Sequence, residues 1–311
     1  MRLSIITINY NNAEGLRKTL ASVAEQTYRD IEHIIIDGGS TDGSVDIIRD
    51  YENTIKQCVT INQSTIQVKW VSESDNGIYN AMNKGIEIAL GRRIVNSFNR
   101  SERSEDKNKV VPDYVQILNS GDILAADDVT ESMMVKLNEL SNERVNESDG
   151  VAILYGNMIK KDYTTGKIIG KSREVEYSLR QYFSSTMNHD CCYIHRDIYE
   201  TYGLYDENLK IVSDWKWFLQ VIGLGHVKPI YIDIDVTIFD CSGISETNLD
   251  LRNNERRQVL EALLSPAVLA DYDAHAFEIE QMKRLRKHHL YSLVYFIERV
   301  LFKLEKWHIL R

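Results

Sequence analysis

Cysteine and proline are both scarce in this chain of 311 residues. The four cysteines, Cys58, Cys191, Cys192 and Cys241, show no CxxC spacing, which argues against a zinc ribbon and against a disulfide-rich secreted scaffold. We therefore predict reduced thiols that pack as small buried side chains. Only three prolines occur, so no proline-rich linker divides the chain, and its length allows one large domain or two modest ones.

Long hydrophobic runs are absent as well. No stretch of about 18 uninterrupted apolar residues occurs, so a membrane-spanning helix is not expected. Met1 and Arg2 lead directly into a strand-like apolar run, so we expect no secretory signal. Apolar residues still make up 43% of the chain, which is enough for a packed core and too many for a disordered protein. We predict a folded, cytoplasmic protein.

Positive charge is scarce over most of the chain. The net charge is −9, but residues 281–311 contain eight Lys and Arg against two Glu, a net charge of +6, which leaves −15 on residues 1–280. A nucleic-acid-binding protein usually carries its basic face on the folded domain itself. An acidic body with a basic tail therefore argues against nucleic acid as the partner.

Apolar, β-branched runs alternate with helical patterns through most of the chain. Strand-like runs occupy residues 3–8, 31–36, 68–71 and 114–118, and apolar residues at helical spacing follow them. This alternation predicts an α/β fold with a mostly parallel central sheet flanked by helices. Further strand-like segments lie at 152–159, 167–171, 191–195 and 230–239, with a hairpin predicted between the first two.

Two polar segments interrupt the alternation and are predicted to be insertions. Residues 53–67 lie between a helix and a strand, and residues 92–113 contain a charge-rich tract that cannot build a core. The second segment suits a solvated surface loop, or else a lid over a site. From about residue 246 the pattern is helical to the end.

Acidic residues follow the predicted strands at the points where those strands end. Asp37 comes after a buried strand at a Gly-Gly turn, where an acid accepts hydrogen bonds from a base or ribose, or else stabilises its own turn. Asp42 lies in the same loop and suits a helix cap. Asp122 follows the fourth strand beside Gly121, and a carboxylate there suits a divalent cation that also binds phosphates.

The segment 75–77, Asp-Asn-Gly, predicts a turn that starts a helix. Asn80 and Asn83 share one face of that helix. Because asparagine is a poor helix former, the pair indicates either a polar task or a solvated face. Lys84 suits a diphosphate as a point charge, and equally an ordinary surface position.

His189 and Asp214 are candidates for acid–base chemistry. Asp214 starts a predicted helix, where a carboxylate is stabilised as the anion. An anionic carboxylate within reach of a hydroxyl group can serve as a general base. A helix cap is the alternative for Asp214, and a hydrogen-bonded core histidine is the alternative for His189.

Four sequence blocks occur in order and at consistent spacing: SIITINYNN, IEHIIIDGGSTDGS, SESDNGIYNAMNKGI and LNSGD. Together they resemble inverting family 2 glycosyltransferases with a GT-A fold, of the type found in bacterial capsule, O-antigen and exopolysaccharide assembly. The resemblance covers most of residues 1–245. It implies a GT-A catalytic domain there, with a Rossmann-like nucleotide-binding half and an acceptor half, followed by a C-terminal helical extension over residues 246–311.

The resemblance also implies roles for individual residues. Asp214 matches the base of this family, with His189 near the donor or acceptor, and Asp122 would hold Mn²⁺ or Mg²⁺ on the diphosphate. Gly243 and Ser245 match a loop beside the active site. The implied nucleotide-sugar-binding residues are Thr7, Asn9, Asp37, Asp42, Asp75, Asn76, Asn83, Lys84 and Asn119.

The chain departs from the family pattern at three positions. Asn119 and Gly121 stand where most relatives carry Asp, so Asp122 is the only acid of the metal motif. Asn80 also stands where the subgroup usually has Asp.

The implied function is transfer of a hexosyl or N-acetylhexosaminyl group from a nucleotide-diphosphate sugar, with UDP favoured, to a saccharide or lipid-linked saccharide acceptor in surface polysaccharide synthesis. A non-catalytic nucleotide-sugar-binding protein is the first alternative, and retention of Asp122 and Asp214 argues against it. A nucleotidyltransferase is the second, and the segment INYNNAEG is a poor version of the phosphate loop that it would need.

Residues 281–311 combine their basic charge with an apolar helical stripe: Leu290, Leu293, Val294, Ile297, Val300, Leu301 and Leu304. A basic amphipathic helix of this kind suits a peripheral position on the inner face of the cell membrane. The alternatives are a helix that packs on the catalytic domain and one that forms a homodimer interface.

Overall fold

The structure, a computed structural model, describes residues 1–62, 66–93, 113–143, 150–162, 165–174, 178–240, 248–287 and 291–306. The chain forms two compact units, Met1–Arg256 and Arg257–Arg311. The first unit therefore includes the start of the helix that follows the last strand. The catalytic domain over residues 1–245 and the extension over 246–311 stay predictions.

Four parallel strands form the N-terminal half of the sheet, in the order β3-β2-β1-β4: β1 Leu3–Asn9, β2 Ile31–Asp37, β3 Gln67–Ser72 and β4 Tyr114–Ile117. Every residue of β1 and β2 is buried, as expected for parallel strands covered on both faces. The helices between them are α1 Ala13–Ala24, α2 Ser44–Asn62 and α3 Ile78–Ala89. The register places Asn9 opposite Asp37, and Asp37 opposite Ser72, so three strand ends meet at one edge.

The C-terminal half of the first unit has a mixed sheet. Its strands are β5 Ile123–Leu124, β6 Ile153–Lys161, β7 Ile168–Lys171, β8 Cys192–His195 and β9 Ile230–Asp240. β8 runs antiparallel to both β4 and β6 and so joins the two halves of the sheet. β9 is parallel to β6. β5 pairs antiparallel with β9, and β7 pairs antiparallel with β6. The α/β fold class is thus confirmed, and so is the hairpin of β6 with β7.

Short helices carry the site in this half. The helices are α4 Val129–Glu143, α5 Leu179–Ser184, α6 Arg196–Tyr202, α7 Ser213–Phe218 and α8 Leu249–Leu263. A 3₁₀ turn spans His189–Cys191, and a π turn, Leu219–Gly223, continues α7. Cys191 and Cys192 are free thiols and buried, as predicted.

One predicted insertion is wrong in its first part. Residues 53–62 continue helix α2 because Ile55 lies on the buried face of that helix, one turn beyond Tyr51. Most of the second predicted insertion, residues 94–112, lies outside the described residues.

The second unit is helical. It contains α9 Pro266–Arg286 and α10 Tyr291–Lys306. Ser265 caps α9 by accepting a hydrogen bond from the amide of Val268, and Pro266 occupies the first position of the helix, where its missing N–H costs nothing. Within the described ranges, no helix is both long and apolar enough to cross a membrane.

Candidate active site

A cavity of about 910 Å³ opens at the edge of the sheet where β1, β2, β3 and β4 end. Ligands of open α/β sheets bind at such an edge, beyond the carboxyl ends of the strands. Its polar lining comes from the loops after these strands and from the turns that precede β8 and α7: Asn9, Asn12, Ser74, Asp75, Asn119, Ser120, Asp122, His189, Lys210 and Asp214.

Asp37 lies directly behind the wall of this cavity and orients Asn9. Its carboxylate accepts hydrogen bonds from Asn9 Nδ2 at 2.8 Å, from the hydroxyl groups of Ser40 (2.6 Å) and Ser72 (2.7 Å), and from two backbone amides. Burial favours the neutral acid, but these bonds outweigh it and lower the pKa of Asp37. Asn9 Oδ1 is buried without a partner among the described residues, so its hydrogen-bonding capacity is unused in this structure.

Asp75 lies on the rim, at the start of α3. Its Oδ1 accepts a hydrogen bond from the amide of Gly77 at 2.9 Å. Gly38 approaches this carboxylate so closely that a Cβ there would lie 2.5 Å from Asp75 Oδ2, so a larger residue would displace Asp75. The backbone N–H of the neighbouring Asn76 donates a hydrogen bond to Asn80 Oδ1 at 3.3 Å, and Asn76 does not line the cavity.

Four of the predicted binding residues make structural contacts away from the cavity. Thr7 hydrogen bonds with the buried His33, and Asp42 accepts bonds from the amides of Ala13 and Ser44 at the starts of α1 and α2. Asn83 donates to the carbonyl of Tyr205 and accepts from its amide, while Lys84 forms an ion pair with Glu73 at 2.8 Å.

The turn from Asn119 to Asp122 is held by α1. The hydroxyl of Thr19 lies 2.7 Å from the carbonyl oxygen of Asp122 and accepts a bond from the amide of Gly121 at 3.0 Å. Gly121 has a φ of 111°, which a side chain would strain. The turn thereby presents the Asp122 side chain to the cavity, where it is only 4% exposed.

This turn carries the oxygen donors that a divalent cation would need. In the part of the chain that is described, no cluster of three or more His, Cys, Asp or Glu side chains could hold a metal. The cavity instead offers the Asp122 carboxylate beside Asn119, whose Oδ1 is buried without a partner among the described residues. Oxygen donors of this kind suit Mg²⁺ or Mn²⁺ when ligand phosphates complete the coordination.

Asp214 is held by two neighbours. The hydroxyl of Tyr79 shares its hydrogen between Asp214 Oδ1 at 2.8 Å and the carbonyl oxygen of Ile211 at 2.6 Å. His189 Nδ1 lies 3.3 Å from Asp214 Oδ2, and His189 Nε2 lies 3.1 Å from Asn119 Nδ2. The site therefore contains a continuous chain of four hydrogen-bonded side chains, Tyr79, Asp214, His189 and Asn119. Tyr79 and Asn119 come from the N-terminal half of the first unit, and the other two come from its C-terminal half.

Burial and charge shift the pKa values of Asp214 and His189 in opposite directions. Burial favours neutral forms, but the hydrogen bond and the charge of His189 outweigh it and lower the pKa of Asp214. In the same way, Asp214, with Asp190 and Asp122 nearby, raises the pKa of His189 against the effect of burial. Which of the two groups donates in the contact between Asn119 and His189 depends on the tautomer of the imidazole ring.

A second, smaller cavity of about 480 Å³ lies on the other side of this pair. His189, Ile211, Asp214 and Phe239 line both cavities. Asp214 therefore stands at the junction of two spaces, each of which can hold a ligand.

Some residues of the site were missed by sequence reasoning, and some predicted ones fall outside the description. Tyr79 lies 135 positions from its partner Asp214, so no local pattern reveals the contact. Ser40 and Ser72 were also missed, although Ser40 follows the predicted turn at Asp37. Gly243 and Ser245 lie outside the described residues.

Comparison with known proteins gives relatives of one class. Residues 4–97 match the family described as Glycosyl transferase family 2. The chain is 26% identical over 248 residues to the uncharacterised glycosyltransferase Rv1514c of Mycobacterium tuberculosis, which covers 78% of this chain and 76% of the relative. It is 23% identical over 248 residues to the PGL/p-HBAD biosynthesis glycosyltransferase Rv2957 of the same species, and the match covers 79% of this chain and 80% of the relative.

Solved structures with the same fold are more distant in sequence. TarS 1–349 of S. aureus in complex with UDP-GlcNAc matches with a TM-score of 0.55 and 15% identity over 86% of this chain and 69% of that chain. Against a longer TarS chain the TM-score is 0.54 at 15% identity over 88% of this chain, which spans only 43% of that protein. The Pyrobaculum calidifontis mannosyltransferase PcManGT, in complex with GDP-Man and Mn²⁺, matches with a TM-score of 0.53 and 14% identity over 97% of this chain and 85% of that one. These neighbours are GT-A enzymes, so the predicted GT-A fold is confirmed.

Proposed function

We propose that this chain, which its relatives support as a family 2 glycosyltransferase, transfers a hexosyl or N-acetylhexosaminyl group with inversion from a nucleotide-diphosphate sugar to a saccharide or lipid-linked acceptor. The observation that carries the proposal is the position of Asp214, an anionic base at the junction of two cavities. Transfer between two substrates needs such a group between two binding spaces. Rv2957 is named as a glycosyltransferase of PGL/p-HBAD biosynthesis, which supports a biosynthetic role for the proposed transfer.

The larger cavity is the proposed donor site. Asn9 and Asp75 line it on the side where β1 and β2 end, and Asp37 fixes the Asn9 amide. A UDP-sugar is the favoured donor, and the TarS complex with UDP-GlcNAc supports this choice. The neighbours bound to UDP-GlcNAc and GDP-Man support this class of donor.

Asp122, with Asn119 beside it, is the proposed holder of Mn²⁺ or Mg²⁺. A bound divalent cation would neutralise charge that develops on the departing diphosphate. The complex of PcManGT with Mn²⁺ supports a divalent cation in this fold.

Asp214 is the proposed general base. The acceptor hydroxyl would give its proton to this carboxylate while its oxygen attacks the anomeric carbon, and the bond from that carbon to the diphosphate oxygen would break on the opposite face. Tyr79 and His189 keep the carboxylate oriented and ionised. One displacement of this kind inverts the configuration of the sugar.

The test is Asp214→Asn in the full chain. The amide cannot accept the proton, so turnover should fall by roughly 10²-fold or more while nucleotide affinity, measured by thermal shift, survives. Asp197→Asn, an exposed carboxylate on α6, is the matched control. Near-normal turnover in Asp214→Asn would remove this residue from the base role.

The product also separates the alternatives. Incubation with a nucleotide-diphosphate sugar and acceptor should release the nucleoside diphosphate. Nucleotide binding without any release would identify a non-catalytic binder, and release of pyrophosphate from a nucleoside triphosphate and sugar phosphate would identify a nucleotidyltransferase.

The site of action is proposed to be the cytoplasmic face of the membrane, reached through the basic segment 281–311. In α10, Leu293, Val294, Phe296, Ile297 and Phe302 are exposed, so an apolar surface is available next to basic charge. Docking there would bring the active site to a lipid-linked acceptor.

A further inference from the structure

The smaller cavity concentrates positive charge in an acidic protein. Its lining contains four cationic side chains, Lys160, Lys171, Arg252 and Arg256, and two carboxylates, Asp190 and Asp214. The larger cavity has the opposite balance, with one lysine against three aspartates in its lining. The chain as a whole has a net charge of −9, so this local excess of cations is not a general property of its surface.

Helix α8 supplies the two arginines and is fixed in place by Glu255. The Glu255 carboxylate is buried and accepts hydrogen bonds from the amides of Lys210 (2.6 Å) and Ile211 (2.9 Å). Arg252 and Arg256 are four residues apart and so share one face of the helix. The Arg256 guanidinium lies 5.0 Å from the centre of the Trp215 ring, which adds a cation–π contact and limits where this group can point.

The two lysines come from neighbouring strands. Lys160 on β6 places Nζ 5.9 Å from the centre of the Phe239 ring, and Phe239 lines both cavities. Lys171 at the end of β7 forms an ion pair with Asp235 at 2.5 Å. Cations therefore reach the cavity from the sheet on one side and from α8 on the other.

We propose that the smaller cavity binds a phosphoryl group of the acceptor, held by Arg252, Arg256 and Lys160, while the acceptor hydroxyl reaches Asp214. This inference rests on the proposed function, because the cavity is an acceptor site only if Asp214 is the base. The hydroxyl and the phosphoryl group belong to one molecule, since Asp214 lines the same cavity as the cations.

The number of cationic side chains favours a phosphoryl group over a carboxylate. Besides Lys171, which is paired with Asp235, three cationic side chains line the cavity, and a phosphate monoester carries about −1.5 to −2 near neutral pH, whereas a uronate carries −1. Guanidinium groups bind phosphate oxygens in pairs, which suits two arginines on one helix face. Hydroxyl groups of Ser172 and Ser185 in the lining can donate to further phosphate oxygens.

The experiment compares phenyl phosphate with benzoate, two probes that share a ring and differ in the anionic group. Each is titrated by ligand-observed NMR into the full chain with saturating UDP and Mg²⁺, so that the larger cavity is filled. Phenyl phosphate should bind without displacing UDP, and at least tenfold more tightly than benzoate. The double variant Arg252→Gln/Arg256→Gln should lose at least tenfold in affinity for phenyl phosphate and keep its affinity for UDP.

The controls separate this inference from the proposed function. Arg49→Gln, an exposed arginine on α2 outside both cavities, should bind phenyl phosphate as the unaltered chain does. If the double variant loses UDP binding through misfolding, Lys160→Gln replaces it. Absence of phenyl phosphate binding, equal binding of benzoate, or displacement of UDP would overturn the inference alone. Failure of every nucleotide to bind the unaltered chain would overturn the proposed function instead.

Discussion

Asp214 is held as an anion by neighbours that also weaken it as a base. Both carboxylate oxygens have a donor, Tyr79 at Oδ1 and His189 at Oδ2, and the pKa of the carboxyl group lies below its ordinary value. A base of low pKa is ionised at every pH at which the enzyme would work. It can still act on a hydroxyl group if the proton leaves late, when the attacking oxygen has become acidic.

His189→Gln should move the acidic limb of the pH–rate profile to higher pH. In the unaltered chain the positive charge of His189 opposes the effect of burial on Asp214. Glutamine keeps a hydrogen-bond donor but removes the charge, so burial raises the pKa of Asp214 and the base becomes protonated earlier as the pH falls. The measurement is kcat against pH in both proteins.

His195→Gln serves as the control for this prediction. His195 is half-buried beside Asp197 and lines neither cavity, so its replacement should leave the acidic limb in place. An acidic limb that is unchanged in His189→Gln would show that His189 does not set the ionisation of the base.

Residues at strand ends could be predicted from the sequence, but their individual tasks could not. Asp37, Asp75 and Asp122 all lie at or directly behind the edge of the cavity, because parallel strands bring their carboxyl ends together. Asn83 contacts Tyr205 and Glu207, more than 120 positions away, and such a contact leaves no local pattern. The same reason explains why Tyr79 was missed.

Helix α8 links the packing of the first unit to the geometry of the site. Glu255 holds the backbone at Lys210 and Ile211, and the carbonyl of Ile211 in turn accepts the hydroxyl of Tyr79, which contacts Asp214. The position of Asp214, the proposed base, therefore depends on an element that begins after the last strand of the sheet.

Glu255→Ala should destabilise the protein by about 2–6 kcal/mol, because two backbone amides lose their acceptor and a buried unsatisfied group costs about 1–3 kcal/mol each. Thermal unfolding should show a drop of several degrees, and turnover should fall as the loop at Ile211 shifts. Asn254→Ala, an exposed neighbour on the same helix, should change neither. Equal melting temperatures for the two variants would contradict the role of Glu255.

Secondary structure was easiest to predict where the pattern is continuous. β1 and β2 are apolar throughout because both faces of the strand are covered, and their observed bounds differ from the predicted ones by a single residue at one end. The polar segment 53–67 was misread because α2 is amphipathic, and four of the five residues 53–57 lie on its exposed face. The parallel pairing of β6 with β9 joins segments about 75 positions apart, which periodicity alone does not indicate.

Charge is distributed unevenly over the whole molecule, and this has a consequence for location. Residues 281–311 carry a net charge of +6 against −15 for the rest of the chain. An anionic membrane surface attracts the former and repels the latter, so electrostatics favours the basic segment as the part of the chain that contacts the membrane. Apolar side chains exposed on α10, with Phe296 and Phe302 65% and 66% exposed, would add burial in the interface to that attraction.

Phe296→Glu/Phe302→Glu should therefore weaken binding to anionic vesicles at least tenfold in co-sedimentation, because it removes two apolar anchors and adds two negative charges beside the lipid. The unaltered chain should sediment with vesicles containing phosphatidylglycerol, less so at high salt, and poorly with neutral phosphatidylcholine. Phe277→Glu on α9 is the matched control, since Phe277 is equally exposed at 65% but lies outside the basic segment. If the double variant and this control sediment alike, α10 does not dock on the membrane, and its apolar surface instead serves a protein contact such as a homodimer interface.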